Sequence, residues 1–218
     1  ALVLGETVTG EIGTPFEEVR YEMTVDPGQR IAIDLVEAEN KFRIGYVLED
    51  ALGRAVTESL GQFDDSGLIT LIGGSYVLRV LSDAGGTSTY TFTIYDVPET
   101  TITPITIGAE VSGAVEVPGQ ELVYTFEAAA SQKLFVERTS LTEYQGPRLE
   151  WSVTDAAGRT IVTQNLLLGD LGPVTLVGGS YRLTFTGEGS SKGSFVFQLV
   201  DQGTADPFVP TGEPLALG

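Results

Sequence analysis

The chain has 218 residues, and its 30 acidic and 12 basic side chains give a formal charge of −18. Such a charge repels nucleic-acid phosphates and anionic membrane surfaces, so we expect no nucleic-acid partner. There is no cysteine and no histidine, which excludes a disulfide framework and removes the commonest general base and zinc ligand. No apolar run approaches the roughly 18 residues of a membrane-spanning helix, so no membrane insertion is expected.

Short strands with alternating apolar residues are predicted through the first half of the chain. Val19, Tyr21, Met23 and Val25 alternate with polar residues, as in a strand with one buried face. Turn signals follow at intervals of about 8 to 12 residues, as in β-sandwiches and barrels. They lie at residues 27–28, 50–53, 73–74 and 85–86. The pattern predicts seven or eight antiparallel strands in two facing sheets.

A glycine pair followed by serine and tyrosine occurs in "LIGGSYVLRV", residues 71–80, and again in "LVGGSYRLTF", residues 176–185. The glycines permit a turn with positive φ, and the tyrosine then begins a strand with its ring in the core and its hydroxyl near a loop. We interpret Tyr76 and Tyr181 as a repeated folding device. A ligand-binding tyrosine is the alternative.

The second half of the chain copies the first. Residues 4–12 match residues 107–115, and residues 19–35 match residues 122–138. A period of this length is a whole domain, since solenoid units have about 20–50 residues. We predict a first β-sandwich over residues 1–99, a proline-stiffened linker over 100–106 and a second β-sandwich over 107–205. Residues 206–218 are expected to begin a further linker or repeat, because "PLALG" resembles "ALVLG" and "PITIG", which open the two copies.

The order of these features resembles the bacterial pre-peptidase C-terminal domain. The residues that carry the likeness are the strand at Tyr21–Ile31, the strands that end in Asp-x-x-Gly (Ile44–Gly53 and Leu149–Gly158), the Gly-x-Tyr strand openings and a closing aromatic strand. That family is also similar to the collagen-binding modules of clostridial collagenases. The resemblance implies a fold of two tandem jelly-roll-like antiparallel β-sandwich domains, in the all-β class. It also implies a secreted or cell-surface bacterial protein.

No catalytic constellation is apparent in the sequence. Asp65-Ser66-Gly67 matches the triplet of aspartic proteases, but the second copy has Asp170-Leu171-Gly172, which lacks the hydroxyl. Each triplet also belongs to a separate predicted sandwich, so a shared-proton dyad between the two is not expected. The sequence lacks a nucleophile elbow, a P-loop and a dinucleotide fingerprint. We therefore expect no enzymatic activity.

Calcium is the one cofactor that the composition favours, because it takes oxygen ligands alone. The candidate metal ligands are loop and junction carboxylates: Asp64, Asp65, Asp170, Asp96, Glu99, Asp201 and Asp206. A divalent ion between modules would stiffen a string of them. Solvated acids that keep a surface protein soluble are the simpler interpretation of the same residues.

Three functions remain open. The leading hypothesis is a structural or adhesive repeat of a large extracellular or surface protein, with neighbouring copies of the same repeat as partners. The second is a discrete binding module for collagen, glycan or peptide, which exposed aromatic residues on one face would favour. Most aromatic residues fall on the alternation assigned to the core, and the ones left over, Phe16, Phe63 and Tyr144, do not recur between the copies. The third is a fibre or lattice subunit that assembles by strand exchange at a sheet edge.

Overall fold

The protein is all-β. The structure, a computed structural model, describes residues 1–82 and 85–203. The first sandwich consists of β1 (Thr7–Ile12), β2 (Glu18–Val25), β3 (Arg30–Ala38), β4 (Ile44–Asp50), β5 (Ala55–Ser59), β6 (Leu68–Thr70), β7 (Gly74–Ser82) and β8 (Ser88–Asp96). A separate strand, β9 (Thr101–Pro104), follows it. The second sandwich consists of β10 (Glu110–Val115), β11 (Glu121–Ala128), β12 (Gln132–Gln145), β13 (Arg148–Asp155), β14 (Thr160–Asn165), β15 (Leu171–Leu176), β16 (Gly179–Glu188) and β17 (Lys192–Asp201).

Strand order identifies each sandwich as a jelly roll. The sheets of the first sandwich run β1-β8-β3-β6 and β2-β7-β4-β5, which is the order that two Greek keys produce. Those of the second run β10-β17-β12-β15 and β14-β13-β16-β11-β9. The predicted fold class is therefore confirmed. The helical elements of the described residues are short 3-10 turns at Lys41–Arg43 and Leu166–Leu168, and no helix there is long and apolar enough to cross a membrane.

The core of each sandwich lies between its two sheets. Alternate residues of β7 and β8 point inward in the first sandwich, and those of β16 and β17 do so in the second. Phe63 corrects the sequence analysis, because it is fully buried although it lies outside the alternating pattern. Its ring lies 4.9 Å from that of Tyr46, and it belongs to the loop between β5 and β6. Phe16 is 79% exposed, and Tyr144 is half-buried.

The repeated tyrosines have the role that the sequence predicts. Both rings are buried, and both hydroxyls donate to the carbonyl four residues earlier: Tyr76 to Ile72 at 2.6 Å and Tyr181 to Val177 at 2.8 Å. Gly74 and Gly179 have φ values of 142° and 145°, which a side chain would resist. The glycine pair and the tyrosine therefore fix the corner that leads into β7 or β16.

The segment between the sandwiches is itself a strand. β9 runs parallel to β11, with Leu122 opposite Thr101 and Thr125 opposite Pro104. The residues predicted as a linker thus extend a sheet of the second sandwich. The domain boundaries themselves stay a prediction.

The segments that open the two copies also match in structure. The Leu2 N–H donates to the Glu22 carbonyl at 2.6 Å, and the Ile105 N–H donates to the Thr125 carbonyl at 2.8 Å. The segments that open the two copies therefore lie beside equivalent strands, β2 in the first sandwich and β11 in the second.

Candidate functional site

Two of the predicted metal ligands hold the backbone at equivalent positions. The Asp65 Oδ1 accepts from the Leu35 N–H at 2.8 Å, and the Asp170 Oδ1 accepts from the Arg138 N–H at 2.9 Å. In both β3 and β12 the pairing register shifts just after that residue. A bulge leaves backbone groups without a partner strand, and a carboxylate can accept the free N–H. Each aspartate therefore has a structural role at a bulge.

The remaining candidates are dispersed. Asp64 binds Lys41 at 3.2 Å, and Asp96 and Asp201 accept from glutamine side chains at 3.3 and 2.7 Å. Glu99 is exposed, and Asp206 lies outside the described residues. Within residues 1–82 and 85–203, no group of three or more acidic side chains is placed to hold a metal ion. Calcium binding stays a prediction.

The structure brings together a different set of residues where the two sandwiches meet. Ala32 and Asp34 point away from the core of the first sandwich, yet they are only 1% and 5% exposed. The second sandwich covers them, since a Cβ built on Gly119 would lie 3.4 Å from that of Ala32. The Lys192 ammonium lies 5.2 Å from the ring centroid of Tyr95. We call this contact the junction.

One residue of the connecting segment ties the two sandwiches together at the side of the junction. Arg30 donates to the Thr100 hydroxyl at 3.0 Å, and that hydroxyl donates to Glu121 at 3.2 Å. The chain between the sandwiches is therefore held at Thr100 from both sides, and β9 continues from it directly.

The junction contains two neighbouring carboxyl groups, of which Asp34 is buried and Asp65 is half-buried. Burial and the neighbouring charge of Asp65 raise the pKa of Asp34 to about 6, against a smaller opposing effect of Lys192. Burial also raises the pKa of Asp65, although the backbone N–H groups of Leu35 and Ser190 favour its charged form. One carboxyl oxygen of Asp34 has no hydrogen-bond partner. Two carboxyl groups in this position can share one proton.

The Ser66 hydroxyl, next to Asp65 in the chain, is engaged by backbone groups. It accepts from the Ile33 N–H at 2.8 Å and donates to the Gly67 carbonyl at 2.7 Å. Asp34 was not among the residues that the sequence predicted, and Asp65 was considered only as a calcium ligand and as part of a protease-like triplet within its own sandwich. The apolar run Ile31-Ala32-Ile33 was the available signal, since it predicts a strand with both faces buried.

No protein-family model matches this chain, and a search of curated proteins finds no relative. Solved structures give weak likenesses. The pre-peptidase C-terminal domain of a collagenase from Bacillus anthracis is 13% identical, with a TM-score of 0.38, over 47% of this chain and 97% of that one. PliG of Aeromonas hydrophila, a periplasmic inhibitor of g-type lysozyme, is 14% identical, with a TM-score of 0.34, over 46% and 97%.

A third structure, the CUB1-EGF-CUB2 region of human MASP-1/3, is 11% identical, with a TM-score of 0.25, over 88% of this chain and 99% of that one. These likenesses are distant, so the fold assignment rests on strand order and register in this chain. Membership of the pre-peptidase C-terminal family stays a prediction.

Proposed function

We propose that this chain is a non-catalytic structural repeat module of a large secreted or cell-surface protein. The observation that carries the proposal is the junction, in which the second sandwich covers Ala32 and Asp34 on the outer face of the first. A flexible tether would leave such a face in water. A covered face and a connecting strand together set a fixed angle between neighbouring modules, as a spacer requires.

The connection resists bending because it is held on several sides. β9 is hydrogen-bonded along β11, so the chain between the sandwiches is a sheet strand. Thr100, just before β9, bonds to Arg30 of the first sandwich and to Glu121 of the second. Rotation about the connection would therefore break these hydrogen bonds and, at the same time, expose the residues of the junction to solvent. The high acidic charge of the chain keeps such a module soluble at high local concentration.

An adhesive role is part of the same proposal. Neighbouring repeats are the first expected partners, and a matrix component, a glycan or another cell-surface ligand would bind to the solvent-facing surfaces of the array. An extracellular position, at the surface of a bacterial cell, belongs to the same proposal.

Rigidity of the junction can be measured by pulsed electron–electron double resonance, which gives the distribution of distances between two spin labels. The chain has no cysteine, so Glu58→Cys and Thr160→Cys, both at exposed positions, would carry the only two spin labels. We expect one narrow distance distribution. The control replaces residues 100–104 with a glycine-serine segment and should broaden it. A distribution in the parent chain as broad as in the control would refute the spacer function.

A discrete binding module is the second candidate, and one cleft favours it. A cavity of about 170 Å³ lies beside the Tyr76 corner, between residues 50–54 and 72–76. Leu52 and Ile72 on its rim are 78% and 83% exposed, so the cleft offers two apolar side chains to a ligand. If the cleft binds a collagen peptide or a glycan, Leu52→Ser with Ile72→Ser should abolish binding without lowering the melting temperature. Equal binding by the double variant would exclude this cleft.

A further inference from the structure

One sheet edge is covered in the second sandwich and open in the first. β2 is the terminal strand of its sheet, and no other strand of the described residues pairs with its free side. The matching strand, β11, has β9 on that side. Since the Glu22 carbonyl accepts from Leu2, the backbone groups of Glu22 face the free side. Those of Arg20, two residues earlier, face the same way. An unpaired edge of this kind is a template for a further strand.

The sequence contains a second segment like β9. β9 is "TITP", residues 101–104, and it leads directly into "ITIG". Residues 211–214 are "TGEP", and they lead directly into "LALG". The Ile105 N–H bonds to β11, so the N–H groups of Thr103 and Thr101 face β11 as well. Thr211 and Glu213 hold the equivalent positions in the second segment.

A turn beside the open edge is also uncovered. In the second sandwich, Pro118 and Gln120 are buried in the turn that packs on the first sandwich. The matching turn of the first sandwich, residues 13–17, is largely exposed, and Phe16 takes the place of Gly119 there. Phe16 is 79% exposed and has a φ of 64°, which is unfavourable for a residue other than glycine. Phe16 is thus an exposed, strained phenylalanine at the position equivalent to Gly119 of the junction, which indicates a contact surface.

The far end of the chain offers the complementary face. Residues 19–35 match residues 122–138, so Phe135 and Glu137 stand where Ala32 and Asp34 stand at the junction. Phe135 is half-buried and Glu137 is exposed. Among the described residues, the outer face of the second sandwich therefore leaves Glu137 exposed at the position where the first sandwich receives its neighbour.

We propose that β2 and the turn at residues 13–17 form a docking surface for the C-terminal end of a second copy of this chain. That copy directly precedes Ala1 in a head-to-tail array. Residues 211–213 of that copy run parallel to β2, opposite Val19, Arg20 and Tyr21, in the register of β9 on β11. Phe16 then packs on the face that holds Phe135. This inference rests on the proposed spacer function and extends it, because it makes the internal junction the repeating contact of an array.

Hydrogen exchange tests the edge directly. In the parent chain, the Arg20 amide should exchange at least about tenfold faster than the Val123 amide, which faces β9. Placing residues 204–213 in front of Ala1 should slow Arg20 by about the same factor. The matched control carries Thr211→Pro and Glu213→Pro within that extension, which removes both N–H donors that face β2. Equal Arg20 exchange in the extended chain and the proline control would overturn the proposal.

Alkylation tests the turn. Two tandem chains, each with residues 1–213 followed by 1–218, would carry Phe16→Cys either in the upstream or in the downstream copy. The only thiol should react at least about tenfold more slowly in the downstream copy, where the preceding copy covers it. Equal rates would overturn the proposed contact. Neither readout depends on the spin-label distances, so the spacer function can survive if the docking surface does not.

Discussion

The two sandwiches share their folding devices and differ at their contact surfaces. Strand order, the tyrosine corner and the carboxylate at the bulge are the same in both. The first sandwich has a covered outer face and an open β2 edge, whereas the second has a covered β11 edge and an open outer face. Side chains change at those surfaces, from Ala32 to Phe135 and from Phe16 to Gly119. Duplication has therefore kept the residues that fold a module and varied those that contact a neighbour.

The largest expected effect tests the shared part of this comparison. Tyr76→Ala and Tyr181→Ala should each cost about 3–5 kcal/mol of the free energy of unfolding, because a buried ring is lost. Trp151, the single tryptophan, lies in the core of the second sandwich and reports that sandwich alone. Tyr181→Ala should shift the fluorescence-detected transition strongly, and Tyr76→Ala should move it by less than about 0.5 kcal/mol.

The matched control keeps the ring and removes only the hydroxyl. Tyr76→Phe and Tyr181→Phe should each cost about 0.5–1.5 kcal/mol, for the lost bond to the corner carbonyl. If Tyr76→Ala instead leaves stability unchanged and abolishes binding of a ligand, the tyrosine is a surface contact and the repeated corner is a repeated binding site.

The second prediction uses a group that only the first sandwich has at the junction. The pKa of Asp34 is raised to about 6 in the folded chain and is about 4 when unfolded. The folded state therefore binds the proton more tightly, so this stabilisation is complete below about pH 4 and is lost as the pH rises through 6. It amounts to roughly 2–3 kcal/mol, from 1.36 kcal/mol per pKa unit.

Asp34→Asn should flatten that dependence and make the chain more stable at pH 7 than the parent. Asp65 and Lys192 both act on the Asp34 carboxyl, whereas Glu137, at the equivalent position of the second sandwich, is exposed, so Glu137→Gln is the matched control and should keep the parent profile. Urea unfolding at pH 4, 5, 6 and 7 gives the comparison. A parallel profile for Asp34→Asn and the parent would show that Asp34 is not desolvated at the junction.

Sequence alone predicted the architecture because its signals are local. Alternation in β7 and β16 and the glycine pair before each of them identify strands and corners without knowledge of the partner sheet. The duplication then repeats the same signals in the second copy. β9 was predicted as a linker, since Thr101–Pro104 is too short to show a period and its pairing with β11 depends on the rest of the fold.

The candidate site was less accessible to sequence reasoning. Asp65 was noted as an acidic loop residue, but its partner Asp34 lies on strand β3 and is buried at the contact with the second sandwich. Contacts between modules have no period, so sequence patterns do not report them. Phe63 escaped for a related reason, because a loop carries it into the core.

The third prediction exchanges the turn residues that distinguish the two sandwiches. Phe16→Gly should stabilise the first sandwich by about 1 kcal/mol, because a left-handed φ no longer strains a side chain. Gly119, with a φ of 76°, should show the reverse: Gly119→Ala should cost about 1 kcal/mol. The added Cβ meets Ala32 at an ordinary contact distance, so backbone strain accounts for the cost. Calorimetry of both variants gives the signs, and a loss of stability in Phe16→Gly would mean that the ring packs more than its exposure indicates.

The smallest expected effect concerns a hydroxyl pair that the second sandwich lacks. The hydroxyls of Tyr21 and Tyr90 lie 2.9 Å apart, whereas Phe195 stands at the position of Tyr90 and the Tyr124 hydroxyl donates to the Ser112 carbonyl at 3.4 Å. Tyr90→Phe should cost about 0.5–1.5 kcal/mol, because the part-buried Tyr21 hydroxyl loses its partner.

Adding Tyr21→Phe to Tyr90→Phe should cost less than the sum of the two single changes, since the second removes a group that is already unpaired. Urea unfolding of the four proteins in this cycle measures the coupling. Glu11→Gln, on an exposed position of the neighbouring strand β1, serves as an unrelated partner and should combine with Tyr90→Phe additively. Additive costs for the two tyrosines would show that the hydroxyls do not stabilise each other, and the first sandwich would then tolerate the phenylalanine that the second one has.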